Sequence, residues 1–403
     1  MICRRCPWAM QHATDEHLFY YAIDRSIIRE NWEAVMKHFL LIIACLAAMP
    51  LVTAIPGPAV AESGPFFNVT GKLLGKTDDG TIQDGEDLSG IACAEEAGFP
   101  RHCLLVDDES QFAQSVTIET GSITVGGCIR VTDATYISKK GKTKPAELDG
   151  EGVAYFKGAF YVIGSHGHPR DKEKENSENE NQAKLKASSI VRRISVEDAG
   201  KASGDCRRDQ DLTGTPSVNL GPLLSSDPAL QPHYGQRLEQ NGLTIEGVAI
   251  KDNVLYAGLR APIVEDALAP KDPKLAVVFA VNLDAIFDTK AADARLSKLR
   301  LEGRGVRDLV AYSGGFLILA GPSADPDKSD PIGPNDYAVF FWDGDKRLTK
   351  LGTIAGNQIG PKDWAKPEAL LPLGPKDGKL EVLILFDGAP ANRAARADTI
   401  DAP

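Results

Sequence analysis

One short phrase recurs five times in this chain, and that recurrence limits the available folds more than any other feature. The copies are Asp87-Leu-Ser-Gly-Ile-Ala92, Asp149-Gly-Glu-Gly-Val-Ala154, Thr244-Ile-Glu-Gly-Val-Ala249, Val306-Arg-Asp-Leu-Val-Ala311 and Lys366-Pro-Glu-Ala-Leu-Leu371. Their starts lie 62, 95, 62 and 60 residues apart. Each copy leads through a turn into a second apolar run: Cys103–Asp107, Phe160–Gly164, Val254–Gly258, Phe316–Ala320 and Val382–Phe386. The intervening pairs Lys157-Gly158, Asp252-Asn253 and Gly314-Gly315 read as hairpin turns. Further β-rich runs follow at Ile190–Val196, Ala276–Asn282 and Ala338–Trp342.

A repeat of this length with three or four short strands and almost no helical periodicity is the pattern of a propeller blade. One such sheet cannot bury both faces alone, whereas sheets stacked around an axis cover one another. The spacing therefore predicts an all-β chain folded as a single β-propeller of five blades, or six if a further copy has diverged. Phe66–Leu74 precedes the first copy and is expected to complete the last blade and close the ring. The propeller is assigned to residues 62–390 and a flexible tail to 391–403. The second unit is long because residues 170–187, dense in Glu, Lys and Asn, are inserted, together with the Pro-containing Arg207–Gly242. The first insertion offers little to bury and is expected to stay disordered.

Composition breaks near residue 61. All four Met lie in the first 49 residues, and 37 of the 38 Gly lie after residue 61. Met36-Lys37-His38, the apolar run Phe39–Ala48 and Ala59-Val60-Ala61 follow the order of a secretory signal peptide, with cleavage expected after Ala61. Pro50, Pro56, Gly57 and Pro58 interrupt the apolar run before it reaches the ~20 residues a membrane span needs, so no span is expected in the mature chain. Residues 1–35 read as an upstream extension ahead of the true start at Met36. Lipidation at Cys45 is the minority alternative, because the apolar run is short before Cys45 and continues past it. The localisation implied is periplasmic or secreted.

Past the leader the chain carries four cysteines, Cys93, Cys103, Cys128 and Cys206. An even number in an exported chain suggests disulfides. A hairpin would set Cys93 opposite Cys103, and Cys128 with Cys206 follows by elimination. The net charge of −11 resides wholly after residue 61 and excludes a nucleic-acid surface. Soluble partners and a monomeric chain are expected. Past the leader no C-x-x-C pair, P-loop, dinucleotide fingerprint or G-x-S-x-G elbow is present.

The phrases Asp149–Ala154, Gly164-Ser-His-Gly167, Glu246–Ala249, Gly258–Pro262, Val306–Leu309, Leu319–Pro322 and Lys366–Glu368, in this order, resemble the bacterial family known as domain of unknown function 3616. The resemblance covers about residues 66–390. It implies a propeller-like fold and no established activity. Ala369 and Ala261 stand where that family has Gly, so backbone approach at those two points differs. More remotely, the Glu-Gly-Val-Ala copies resemble secreted propellers related to calcium-dependent phytases, lactonases and phosphotriesterases.

Aligned phrase on phrase, the copies place Ser89, Glu151, Glu246, Asp308 and Glu368 at one position, just before the innermost strand. Four carboxylates gathered there would repel unless a cation sits among them. Calcium, with its six to eight oxygen ligands, suits such a ring and could activate water. Alternatively Arg260, Arg304, Arg307 and Lys366 pair with the ring and plug the channel. His166, which shares the Arg260 position in that alignment, is a candidate general base, with His168 a weaker one. Catalytic candidates are thus His166, Arg260 and Arg307. Two functional readings remain: a periplasmic binding or scaffold protein for a protein partner or small anionic ligand, or a calcium-dependent hydrolase of a phosphoester, lactone or ester.

Overall fold

The computed structural model describes residues 61–403 apart from 79–80, 171–175, 203, 205, 207–210, 289 and 326–328. The upstream extension, the signal peptide before Ala61 and the alternative lipidation at Cys45 lie outside the described residues. Ala61 itself is buried, and its N–H donates to Thr353 O (3.0 Å).

The chain forms a five-bladed β-propeller. Blade one comprises Leu88–Cys93, Arg101–Asp107, Phe112–Glu119 and Ser122–Arg130. Blade two comprises Gly150–Phe156, Ala159–Gly164, Val191–Ser195 and Thr215–Ser217. Blade three runs Thr244–Lys251, Val254–Val264, Leu275–Asn282 and Ala294–Leu299, and blade four Gly305–Tyr312, Gly315–Gly321, Tyr337–Trp342 and Leu348–Ile354. Blade five is built from both ends of the propeller: Trp364–Lys376, Lys379–Asp387, Ala395–Ile400 and then Glu62–Phe66. The first strand of each blade packs against the first strands of its two neighbours, which makes these five strands the innermost.

Four of the five inner hairpins turn on two residues with positive φ: Lys157-Gly158, Asp252-Asn253, Ser313-Gly314 and Asp377-Gly378. Such turns match the right-handed twist of the strands they join. The blade-four turn is centred one residue earlier than Gly314-Gly315, because Gly315 already pairs with Tyr312. Blade one replaces the tight turn with the loop Ala94–Pro100, and Cys93 and Cys103, directly opposite in register, are disulfide-bonded across its base. The second disulfide joins Cys128 to Cys206.

Each blade interface carries its own apolar core. Leu104, Val106, Val153 and Val162 lie between blades one and two, and Ile163, Val248, Leu255 and Phe279 between two and three. Tyr256, Phe316, Ile318 and Trp342 fill the third interface, and Leu319, Val339, Leu370 and Ile384 the fourth. Ile91, Leu105, Leu371 and Leu383 close the seam between blades five and one. Burial of each such side chain is worth about 1.5–3 kcal/mol, so the ring is held by five hydrophobic contacts in series. The buried Arg101 guanidinium reinforces the seam by donating to Pro372 O (2.7 Å) and Leu373 O (2.6 Å) of blade five.

Three expectations need correction. Ring closure uses Glu62–Phe66, not the whole of Phe66–Leu74, because Asn68–Thr70 turns away to pair in parallel with Ser122–Thr124 of blade one. Residues 391–403 are no flexible tail: Ala395, Ala397 and Ile400 are buried, and the strand they belong to pairs on both sides. Within the polar insertion Ser177 caps the helix Glu178–Ser188 by accepting from Glu180 N (3.2 Å), so this part is not a disordered excursion. That helix rests on the small hairpin Thr135–Ile137/Thr143–Pro145, with Lys184 Nζ 4.7 Å from the Tyr136 ring centre.

Candidate functional site

In every blade the inner hairpin slips register by one residue near its start, leaving Ser89, Glu151, Glu246, Arg307 and Glu368 as the bulged residues. A bulge takes one residue out of the ladder and re-aims its side chain. All five are buried. Counted from the hairpin turns, this is the true repeat position, and in blade four it holds Arg307. Asp308, aligned with the glutamates phrase on phrase, instead stands where blades one to three have Gly90, Gly152 and Gly247. Inner strands approach closely at those glycines, since a Cβ on Gly247 would lie 2.5 Å from Leu309 N.

A second ring follows from the same register. Asp108, Ser165, Arg260, Gly321 and Asp387 each lie two residues past the partner of the inner-strand position just described. Ser165, not His166, is therefore the counterpart of Arg260.

The two rings meet at one end of the channel, where blades three to five are neutralised internally. Arg260 Nη1 donates to Glu246 Oε1 (2.8 Å), and Arg307 Nε lies 3.2 Å from Glu246 Oε2. Arg307 also donates through Nε to Glu368 Oε2 (2.6 Å) and through Nη2 to Glu368 Oε1. Asp308 accepts from Leu309 N and, across the blade interface, from Leu370 N (each 2.7 Å). Burial nonetheless pushes its carboxyl up to about 7. Lys366 Nζ stands 3.5 Å from Asp325 and 3.6 Å from Asp387. Arg304 lies apart, bonded to Glu302, Leu301 O and Asp336 O.

On the side of blades one and two the balance reverses. Burial first, then Glu246 and Asp149, push the Glu151 carboxyl well above its ordinary range. Asp108 is pushed well up by burial, Glu151 and Asp387, and Asp149 is raised by burial although Ser165 Oγ donates to its Oδ2. Asp108, Asp149, Arg170 and Asp387 are not among the residues expected from sequence: the position shared by Asp108 and Asp387 holds Ser165, Arg260 and Gly321 in the other blades, and Asp149 and Arg170 lie outside both rings. These side chains line a cleft of about 290 Å³. Its walls carry Asp87, Asp108, Glu109, Glu147, Asp149 and Asp387 against Arg170, Lys184 and Lys366. A smaller hollow of about 40 Å³ continues inward past His168 to Glu151, Glu246 and Arg260.

His166 is fully buried. Its Nδ1 donates to Gly164 O (2.9 Å), Nε2 has no partner, and burial pushes it down to about 4. It stays neutral and out of reach of solvent, which removes it as a general base for an incoming substrate.

The sequence matches the family described as Protein of unknown function (DUF3616) over residues 98–402. This chain belongs to that family. No curated protein matches this DUF3616 member in sequence. Its fold is similar to the WD40 β-propeller domain of Doa1, at 10% identity and TM-score 0.32, covering 82% of this chain and 97% of that one. It is also similar to an exo-β-1,3-galactanase from Clostridium thermocellum, at 9% identity and TM-score 0.37, covering 81% and 60% respectively. A putative 6-phosphogluconolactonase from Bacteroides uniformis shares 10% identity at TM-score 0.29, with 79% and 72% covered. Likeness at this distance concerns the fold and not an activity. Among the described residues of the DUF3616 member, no helix is long and apolar enough to cross a membrane.

Proposed function

We propose that this protein is an exported binding propeller, periplasmic or secreted, whose ligand enters the charged cleft at the channel mouth and carries positive charge. The observation that supports this is the cleft lining, six carboxylates against three cationic side chains. A lining of that sign focuses an attractive field on a cation and repels the small anion expected from sequence. Two disulfides support an oxidising compartment.

The hydrolase alternative loses its parts one by one. The ring oxygens of Glu246 and Glu368 already accept from arginines, those of Asp308 from backbone N–H groups, and His166 is sealed in the core. Arg260 and Arg307 act as counter-ions within this network.

The test is a calorimetric titration of the purified protein with calcium chloride, putrescine and sodium phosphate, beside turnover assays on p-nitrophenyl phosphate, p-nitrophenyl acetate and a γ-lactone. Saturable heat with either cation and none with phosphate, without turnover, supports the reading. Phosphate binding reverses its sign, and calcium-stimulated turnover overturns it in favour of a hydrolase.

A further inference from the structure

Glu151 is the exception in the inner ring. Its neighbours there are Ser89 and Glu246, and it is the carboxylate that Arg307 and Arg260 leave without a bond. It is 8% exposed and makes no hydrogen bond or ion pair among the described residues. Asp108 Oδ1 is likewise buried without a partner. A buried carboxylate without a hydrogen bond is expensive even where Arg170 and Arg307 act on it through space, and a bound cation is a usual remedy. Asp149 joins them from the residue before the blade-two strand. Its accepted bond from Ser165 uses Oδ2, leaving Oδ1 available.

One ligand oxygen from each of Asp108, Asp149 and Glu151 lies within 4.8 Å of the others. Oxygens on opposite sides of a calcium ion, at 2.3–2.6 Å each, are about 4.6–5.2 Å apart, so the spacing is of the size one ion bridges after a small side-chain adjustment. Arg170 offsets part of the charge of all three carboxylates, but its ion pair is with Asp325 (Nε to Oδ2 3.9 Å) and its side chain is 58% exposed, so an incoming ion competes with it for the place. The 290 Å³ cleft reaches Asp108 and Asp149 from outside, giving a hydrated ion a route in and room for waters to complete its shell.

We propose that Asp108, Asp149 and Glu151 form a calcium site at the junction of blades one and two. The site deepens the cationic reading of the cleft and rests on it. Magnesium binds less well, because it holds its waters tightly and demands regular octahedral geometry, which three carboxylates from two blades do not supply.

Calorimetry on the purified protein, stripped with EDTA and freed of it, tests the site. One calcium per chain is expected, with magnesium at least tenfold weaker and binding weakened at least tenfold in both Glu151→Gln and Asp108→Asn. Calcium raises the thermal midpoint of the parent and of neither variant. In EDTA both variants unfold at or above the parent midpoint, which separates loss of the ion from loss of the fold. Should either fail to fold, Arg170→Ala keeps every carboxylate and removes a competing cation, so its calcium affinity rises; unchanged or weaker binding counts against the site. Calcium binding undiminished in both carboxylate variants overturns the assignment. Putrescine binding without calcium binding overturns the calcium site but leaves the cleft reading, and absence of both overturns the two together.

Discussion

The two sides of the channel mouth solve one electrostatic problem in opposite ways. On blades three to five, each buried carboxylate meets an arginine, a lysine or a pair of backbone N–H groups. On blades one and two, Asp108, Asp149 and Glu151 crowd together with Ser165 as their one close neutral donor. The repeat position is the same in both halves. What differs is that blade four places Arg307 in the inner ring and blade three places Arg260 in the second, whereas blades one and two place Ser89 and Ser165 there. A fold can thus be closed by charge on one side and left with crowded carboxylates on the other without any change in backbone plan.

The contrast can be broken most severely at Arg307. Arg307→Leu strands Glu368 without a partner and strips one contact from Glu246, and loss of one partner of a buried pair costs about 3–5 kcal/mol. Urea denaturation should show that drop; a loss near zero would mean the neutralised half does not depend on its arginine. Asp308→Asn comes next. An amide cannot accept from both Leu309 N and Leu370 N, and a buried donor left unbonded costs about 1–3 kcal/mol in the same assay.

A pH series sharpens the same comparison. Burial raises Asp308 from an ordinary 3.8 to about 7, so the native state binds its proton more tightly than the unfolded chain. Its contribution is complete below the unfolded value and is lost as pH rises through about 7. Between these limits the parent should lose stability faster than Asp308→Asn, by at most about 1.4 kcal/mol per pH unit for one proton. Equal slopes would assign the titration elsewhere. The smallest effect belongs to the crowded half, where Glu151→Gln in EDTA should gain on the order of 1 kcal/mol by relieving repulsion. A loss comparable to that of Arg307→Leu would show that Glu151 is an internal counter-ion after all.

The blade plan was legible because glycine-containing turns and apolar pairs recur at nearly constant spacing. The strand Ala395–Ile400 was not, because four of its six residues are alanine, aspartate or threonine and it is buried by pairing, not by bulk. Arg396, which looks like a surface residue, folds back onto Asp398 (2.7 Å) inside the blade. At the site, alignment phrase on phrase misled. Val306-Arg-Asp-Leu matches Ile245-Glu-Gly-Val in structure once the hairpin turn sets the register, which puts arginine opposite glutamate. The second ring escaped notice for a related reason, since position in the ladder defines it while residue type varies from Asp to Gly.

Blade five draws its outermost strand from residues 62–66 and its inner three from residues 364–400. During synthesis, therefore, the earliest described strand waits for some of the latest, and four finished blades stand as an open arc until they meet. A chain cut short before Ala395 would leave exposed strand edges that invite pairing with other molecules. Joining the two ends and reopening the chain at the exposed Gly141 turn would preserve every blade while changing which strand is made last.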